Sequence, residues 1–204
     1  MILEVRSYTL KPGAMPKALD RFATALPART KISPLAGFFH AEVGALNKTF
    51  MMWPYADLAE RERCRAVKVE GYPPPRKDIG VELEVQVYNA APFAPQPEPK
   101  AYGGLYEIRT YNYAAGSIPH VIDSWAERIA ERQQYSPLVF AGFSEFGTQN
   151  IWLHVWAYKD WNDRQRVRHE VHEKGVWPPK SHPDAVLLRQ QNTLVVPAPF
   201  SAWH

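Results

Sequence analysis

Polar and apolar residues alternate at the start of the chain, with Leu3, Val5 and Ser7 on one side and Glu4, Arg6 and Tyr8 on the other. A period of two is that of a β-strand with two distinct faces. The period changes after Gly13, where Met15, Ala18, Leu19, Phe22 and Leu26 recur at helical spacing, which predicts an amphipathic helix. FFHAEV at 38–43 and TFMMWPY at 49–55 follow, separated by turn residues around Gly44 and Asn47, the pattern of a hairpin. Asp57 with Glu60 three residues on marks the start of a second helix as a capping box. A proline-rich loop at 73–75 then leads to a last strand, VELEVQVY at 81–88. The order βαββαβ is the ferredoxin-like split βαβ arrangement.

The chain then starts again. YEIRTYNYAAGSIP at 106–119 repeats LEVRSYTLKPGAMP at 3–16, and an offset of 103 carries Glu4 to Glu107, Arg6 to Arg109, Tyr8 to Tyr111 and Gly13 to Gly116. The same offset carries Trp53 to Trp156, Tyr55 to Tyr158, Asp57 to Asp160, and Arg61, Arg63 and Arg65 to Arg164, Arg166 and Arg168. At the APF tripeptides the offset has grown to 107, from Phe93 to Phe200, which predicts a longer late loop in the second copy. A repeat of about a hundred residues is too long for a solenoid unit of about 20–50, so this is a duplicated domain. Residues 1–96 form the first unit and 104–204 the second, with 97–103 a linker inside the proline-rich APFAPQPEPKAYGG. The expected fold is α+β: two ferredoxin-like domains packed sheet to sheet as a barrel of the dimeric α/β type. The alternative is pairing of each domain with one from another chain.

Helices cover one face of such a sheet. The uncovered face is expected to carry Glu4, Arg6, Tyr8, Glu42 and Trp53, with Glu107, Arg109, Tyr111, Glu145, His154 and Trp156 in the second copy. Packing the two sheets together would enclose these residues as a mixed polar and aromatic barrel interior.

Composition narrows the function classes. With 204 residues, 46% hydrophobic and 22% charged, the chain is globular, and its net charge of +3 is spread without runs of one sign. No nucleic-acid or membrane partner is expected. One cysteine, Cys64, allows no internal disulfide, and no signal or transit pattern opens the chain, which favours the cytoplasm. GxSxG, Walker and paired CxxC motifs are absent. RHEVHEKG at 168–175 fails as a zinc helix, because HExxH needs histidines four apart and these are His169 and His172; no metal site is expected.

ExRxYxLxxG from Glu4 to Gly13, the Trp53, Tyr55, Asp57, Leu58, Arg61 pattern, and APF after a strand together resemble the NIPSNAP family. The resemblance covers nearly the whole chain as two tandem domains. It implies the dimeric α/β-barrel superfamily, which includes cofactor-free monooxygenases, haem-binding enzymes, small isomerases and stress-response proteins. The second copy departs from the pattern at Trp161, where the first has Leu58, and at residues 112–115, where the LKPG turn is lost. The first half is therefore the expected seat of any activity confined to one half.

Several residues are candidates for chemistry. Arg6 and Arg109 could floor an anion site, since a guanidinium fork matches a carboxylate; the alternative is a structural ion pair with Glu4, Glu42 or Glu84. His154, between Trp152 and Trp156, is the candidate acid or base, with Tyr8 and Glu42 beside it. Tyr111, Trp53, Trp156 and Glu145 complete the expected lining. The arginine triplets, spaced by two, are expected to spread around their helices as solvated ion pairs. These residues predict a small-molecule site for an aromatic or carboxylated ligand, with proton transfer or oxygen chemistry open. The competing reading is a non-catalytic scaffold. No cofactor is expected, haem being the one left open, and homo-oligomerisation is left open too.

Overall fold

The computed structural model describes residues 1–144 and 146–204. The first half runs β1 (Ile2–Leu10), α1 (Met15–Thr30), β2 (Gly37–Val43), β3 (Lys48–Tyr55), α2 (Leu58–Ala66) and β4 (Gly80–Ala90). The second runs β5 (Leu105–Tyr113), a helix broken into α3 (Ser117–Ala126) and α4 (Ile129–Arg132), β6 (Leu138–Ser144), β7 (Ile151–Tyr158), α5 (Trp161–Glu173) and β8 (Leu187–Pro197). Both expected capping residues act: Asp57 accepts the Glu60 amide and Asp160 that of Asp163, satisfying donors that a helix start leaves unpaired. Asn47 and Asn150 both take the left-handed conformation in the hairpin turns, with φ of 56° and 58°, a region that asparagine tolerates.

The eight strands close into one antiparallel barrel in the order β1-β3-β2-β8-β5-β7-β6-β4, and the closure occurs within one chain. Two seams join the halves, β2 to β8 and β4 to β6. The duplicated APF tripeptides extend these seams. The Ala91 amide bonds to the Ala141 carbonyl and that of Ala198 to the Phe38 carbonyl, each at 2.9 Å. Each tail then places its phenylalanine over the other half: Phe93 stacks on Trp125 at 6.3 Å, and Phe200 meets Phe38 edge-on at 4.9 Å.

The faces of the strands are inverted relative to the sequence reading. Leu3, Val5, Phe39 and Met52 point into the barrel and pack with Tyr106, Leu153, Val155 and Val195 of the other half. Glu4, Arg6, Tyr8 and Trp53, and likewise Glu107, Arg109, Tyr111, His154 and Trp156, face the helices. Tyr8 packs on Phe22 of α1, and Glu4 and Glu107 bond to arginines of α2 and α5. The expected barrel-interior site is therefore corrected to the space between sheet and helices. Alternation reveals two faces but not which one meets the helices. Here both are buried, the aliphatic one inside the barrel and the polar-tipped aromatic one beneath the helices. No helix among the described residues is long and apolar enough to cross a membrane.

Candidate functional site

Beneath the helices of the second half lies a cavity of about 300 Å³. The register of the β5–β7 pair sets its floor, placing Arg109 opposite His154 and Glu107 opposite Trp156. Trp125 of α3, Arg132 of α4, Arg168 and His172 of α5, and Trp177 beyond α5 form the walls. Three guanidiniums thus face one small volume, and none of the described residues lining it carries a carboxylate.

The partner of these cations lies behind the floor. Glu107 is fully buried and bonds to Arg164 at 2.7 Å and to Asn192 at 3.0 Å, and it accepts from the Tyr158 hydroxyl at 3.3 Å. Arg109 and Arg168 lie farther off, at 3.4 and 3.7 Å. Burial alone would raise the Glu107 pKa, but the Arg164 bond and the charges of Arg109, Arg164 and Arg168 hold it below the usual carboxylate range. One carboxylate against this many guanidiniums leaves the cavity positive. Burial pushes the Tyr111 and Tyr158 hydroxyls up, and Tyr113 up to about 12, so all three remain neutral.

His154 has a fixed form. Its Nδ1 accepts from the Trp156 indole N–H at 2.8 Å. Burial, then the charges of Arg109, Arg132 and Arg168, hold its pKa well below the ordinary histidine value. A neutral ring whose Nδ1 accepts must carry its proton on Nε2, and that buried N–H has no partner among the described residues. The Nε groups of Arg109 and Arg132 are also buried and without a partner among the described residues. Arg132 lies over the Trp156 ring at 4.1 Å and donates to Ser136 at 3.0 Å, while Trp125 and Tyr111 meet the His154 ring edge-on at 4.7 and 4.8 Å. In this form His154 carries an N–H that is free to donate, and its one ring lone pair is engaged by the Trp156 indole.

The equivalent space of the first half is filled. The offset of 103 puts Met51 in place of His154, Phe22 in place of Trp125 and Arg29 in place of Arg132. Met51, Phe22 and Tyr8 are fully buried, and Arg29 lies over Trp53 at 4.9 Å and Tyr72 at 5.9 Å. A more open hollow there, of about 380 Å³, is lined by Arg29, Arg65 and Tyr72 and does not reach Arg6, Tyr8 or Trp53. The first half, the expected seat of an activity confined to one half, thus lacks among its described residues the histidine and tryptophan, His154 and Trp125, that line the second-half cavity.

The structure brings Arg109, Tyr111, His154 and Trp156 together. Arg6, Tyr8 and Trp53 sit at equivalent positions in the filled half. Glu42 is exposed on β2, paired with His40 at 3.3 Å, away from Arg6. Glu145 lies outside the described residues. Two other expectations change. The excess length of the second copy is an extra helical turn, since α5 has 13 residues where α2 has 9, and it supplies Val171 and His172 to the cavity wall. Within each arginine triplet the outer two, four apart, share one face and reach Glu4 or Glu107, whereas Arg166 pairs outward, with Asp163 and Glu170. Sequence reasoning missed Arg132, Trp125 and Trp177. The repeat does hold a signal for Arg132, since Arg29 precedes it by 103 residues.

Comparison with known proteins agrees with this architecture. The NIPSNAP family profile matches residues 3–73 and 106–202. The chain is 27% identical over 208 residues to human Protein NipSnap homolog 3A, covering 97% of this chain and 84% of that protein. A solved structure from Lactobacillus acidophilus, provisionally described as a monooxygenase, superposes with a TM-score of 0.66 over 97% of this chain and 93% of its own, at 8% identity. Another, provisionally described as a chlorite dismutase, gives 0.54 over 96% and 93%, at 14% identity. At such identities these two share the fold alone.

Proposed function

The chain belongs to the NIPSNAP family, and for this member we propose that the second-half cavity binds a small, flat, anionic molecule. The carrying observation is the gathering of Arg109, Arg132, Arg168 and the neutral His154 around one volume with no carboxylate among its described lining residues. An anionic ligand would supply the opposite charge that this lining lacks. Trp125, Trp177 and Tyr113 offer ring surfaces for the flat part of the ligand. The neutral His154 N–H, set among guanidiniums, suits stabilisation of negative charge on a ligand oxygen. This supports chemistry passing through an oxyanion, such as proton abstraction beside a carbonyl or oxygen addition.

Calorimetric titration with salicylate tests the reading. Saturable binding is expected, weakened about 10–100-fold in Arg132→Met and in Arg109→Met and kept in Arg6→Met. Absence of binding by salicylate and by 4-hydroxyphenylacetate, or binding unchanged in Arg132→Met, would overturn it in favour of a scaffold whose arginines only tie helices to the sheet.

A further inference from the structure

We propose that His120, His182 and Asp184 form a site for a divalent cation of the zinc class on the rim of the cavity. His120 lies on α3, and the other two lie on the segment between α5 and β8. One ligand atom from each residue lies within 4.8 Å of the others. A tetrahedral zinc ion with bonds of about 2.0–2.2 Å needs ligand atoms about 3.3–3.5 Å apart. His182 Nδ1 and the Asp184 carboxylate are already 3.7 Å apart. The His120 and His182 rings are stacked in parallel, 5° apart in plane and 4.2 Å between centres, so their in-plane lone pairs do not yet converge, and the exposed His182 ring must tilt out of the stack to complete the set. Two imidazoles and one carboxylate are the nitrogen and oxygen donors that zinc takes, with a fourth position left to water.

The backbone holds these residues together independently of any ion. The buried Ser117 hydroxyl, one helical turn before His120, donates to the Asp184 carbonyl at 3.2 Å and accepts from the Val186 amide at 3.1 Å. The Ala114 amide bonds to the Val186 carbonyl at 2.9 Å. The segment is thus fixed against the start of α3, and only side-chain rotation remains for binding. The Nδ1 lone pair of His182 accepts from the Asp184 amide at 3.1 Å; the cation takes that lone pair instead. Ser181 and Pro179, just before His182, line the cavity, as does Trp125, five residues after His120. A bound ion would therefore join two of its walls. Because the ligands come from separate segments, neither HExxH nor any other local motif marks them.

The test uses the full chain after chelator treatment, titrated with zinc sulfate by calorimetry and followed by thermal melts. One zinc per chain and a rise in melting temperature are expected. His120→Ala and Asp184→Asn should each weaken binding by more than the about 10–100-fold that an outer-shell change costs, while His169→Ala should leave it unchanged. All three are surface positions, and circular dichroism without zinc checks that each variant folds. Absence of saturable one-to-one binding, or binding as tight in His120→Ala as in the parent chain, would overturn the site.

Discussion

The two halves share a barrel, a buried carboxylate and a set of arginines, yet among the described residues the second encloses a cavity that reaches its floor arginine, whereas the hollow of the first does not reach Arg6. In the first half Met51, Phe22 and Tyr8 fill the space beneath the helices, and Arg29 lies over Trp53 and Tyr72. In the second, His154 and Trp125 stand in place of Met51 and Phe22, and the added turn of α5 widens the wall with Val171 and His172. The retained parts differ in kind from the altered ones. Glu4 and Glu107 each hold arginines of the second helix against the sheet, a structural task that both halves share. What distinguishes them is a polar donor where an apolar filler stood.

The shared part should give the largest effects, and equal ones. Glu4→Gln and Glu107→Gln each keep the side-chain volume but remove a fully buried charge that partly buried guanidiniums pair with. Breaking a buried pair typically costs about 3–5 kcal/mol, so urea melts should show similar large losses for both. A loss confined to Glu107→Gln would mean that its extra bonds to Tyr158 and Asn192, and not the arginine set, hold the sheet to the helices.

The floor arginines should separate the halves. Arg6 is nearly buried, and against the lowering effect of burial the neighbouring Tyr8 and Glu4 raise its pKa. Arg109 borders the cavity. Removing a charged hydrogen bond costs about 1.5–3 kcal/mol, so Arg109→Met should weaken salicylate binding about 10–100-fold and Arg6→Met should change only stability. Equal effects of both on binding would show that the halves are not distinct in this respect.

Reciprocal closure can be tested at the APF tails. Phe93→Ala and Phe200→Ala each remove a half-buried ring at a cost of about 1–3 kcal/mol. Phe93 stacks on Trp125 in the cavity wall, so only Phe93→Ala should also reduce salicylate affinity.

Much of this was legible. The period change at Gly13, the capping pairs at Asp57 and Asp160, the hairpin asparagines and the offset of 103 specify the elements and their duplication. The facing of the strands was not legible. Leu3 and Glu4 are both fully buried, and a sheet packed on both sides carries no polar face to orient it. The cavity was half legible: Arg109, Tyr111, His154 and Trp156 share one strand face, but Arg132, Trp125 and Trp177 come from helices and a loop whose approach depends on packing. APF was visible as a repeat, but its role in closing the opposite half needed the seams.

The smallest expected effect is also the most specific. His154→Met installs the residue that the first half carries at Met51, and so converts the open half toward the filled one at one position. At pH 8 the exchange should change stability little, because it removes the buried His154 Nε2–H, which has no partner among the described residues, but also leaves the Trp156 indole N–H without its acceptor, two effects of similar size and opposite sign. Acidification should then distinguish the two proteins. Burial and the neighbouring guanidiniums lower the folded-state pKa of His154, so below the unfolded value of about 6.5 the unfolded chain gains a proton that the folded chain refuses. The stability associated with this group is therefore complete above about pH 6.5 and is lost as pH falls toward the depressed folded value. A single proton gives at most about 1.4 kcal/mol per pH unit, or about 2 kcal/mol by pH 5. Carboxylates and the other histidines titrate in both proteins and cancel in the difference. The stability of His154→Met relative to the parent chain should thus rise steadily from pH 7 to pH 5 in urea melts. A gap independent of pH would mean that His154 takes up its proton in the folded state, and a charged imidazolium would replace the neutral donor on which the anion site rests.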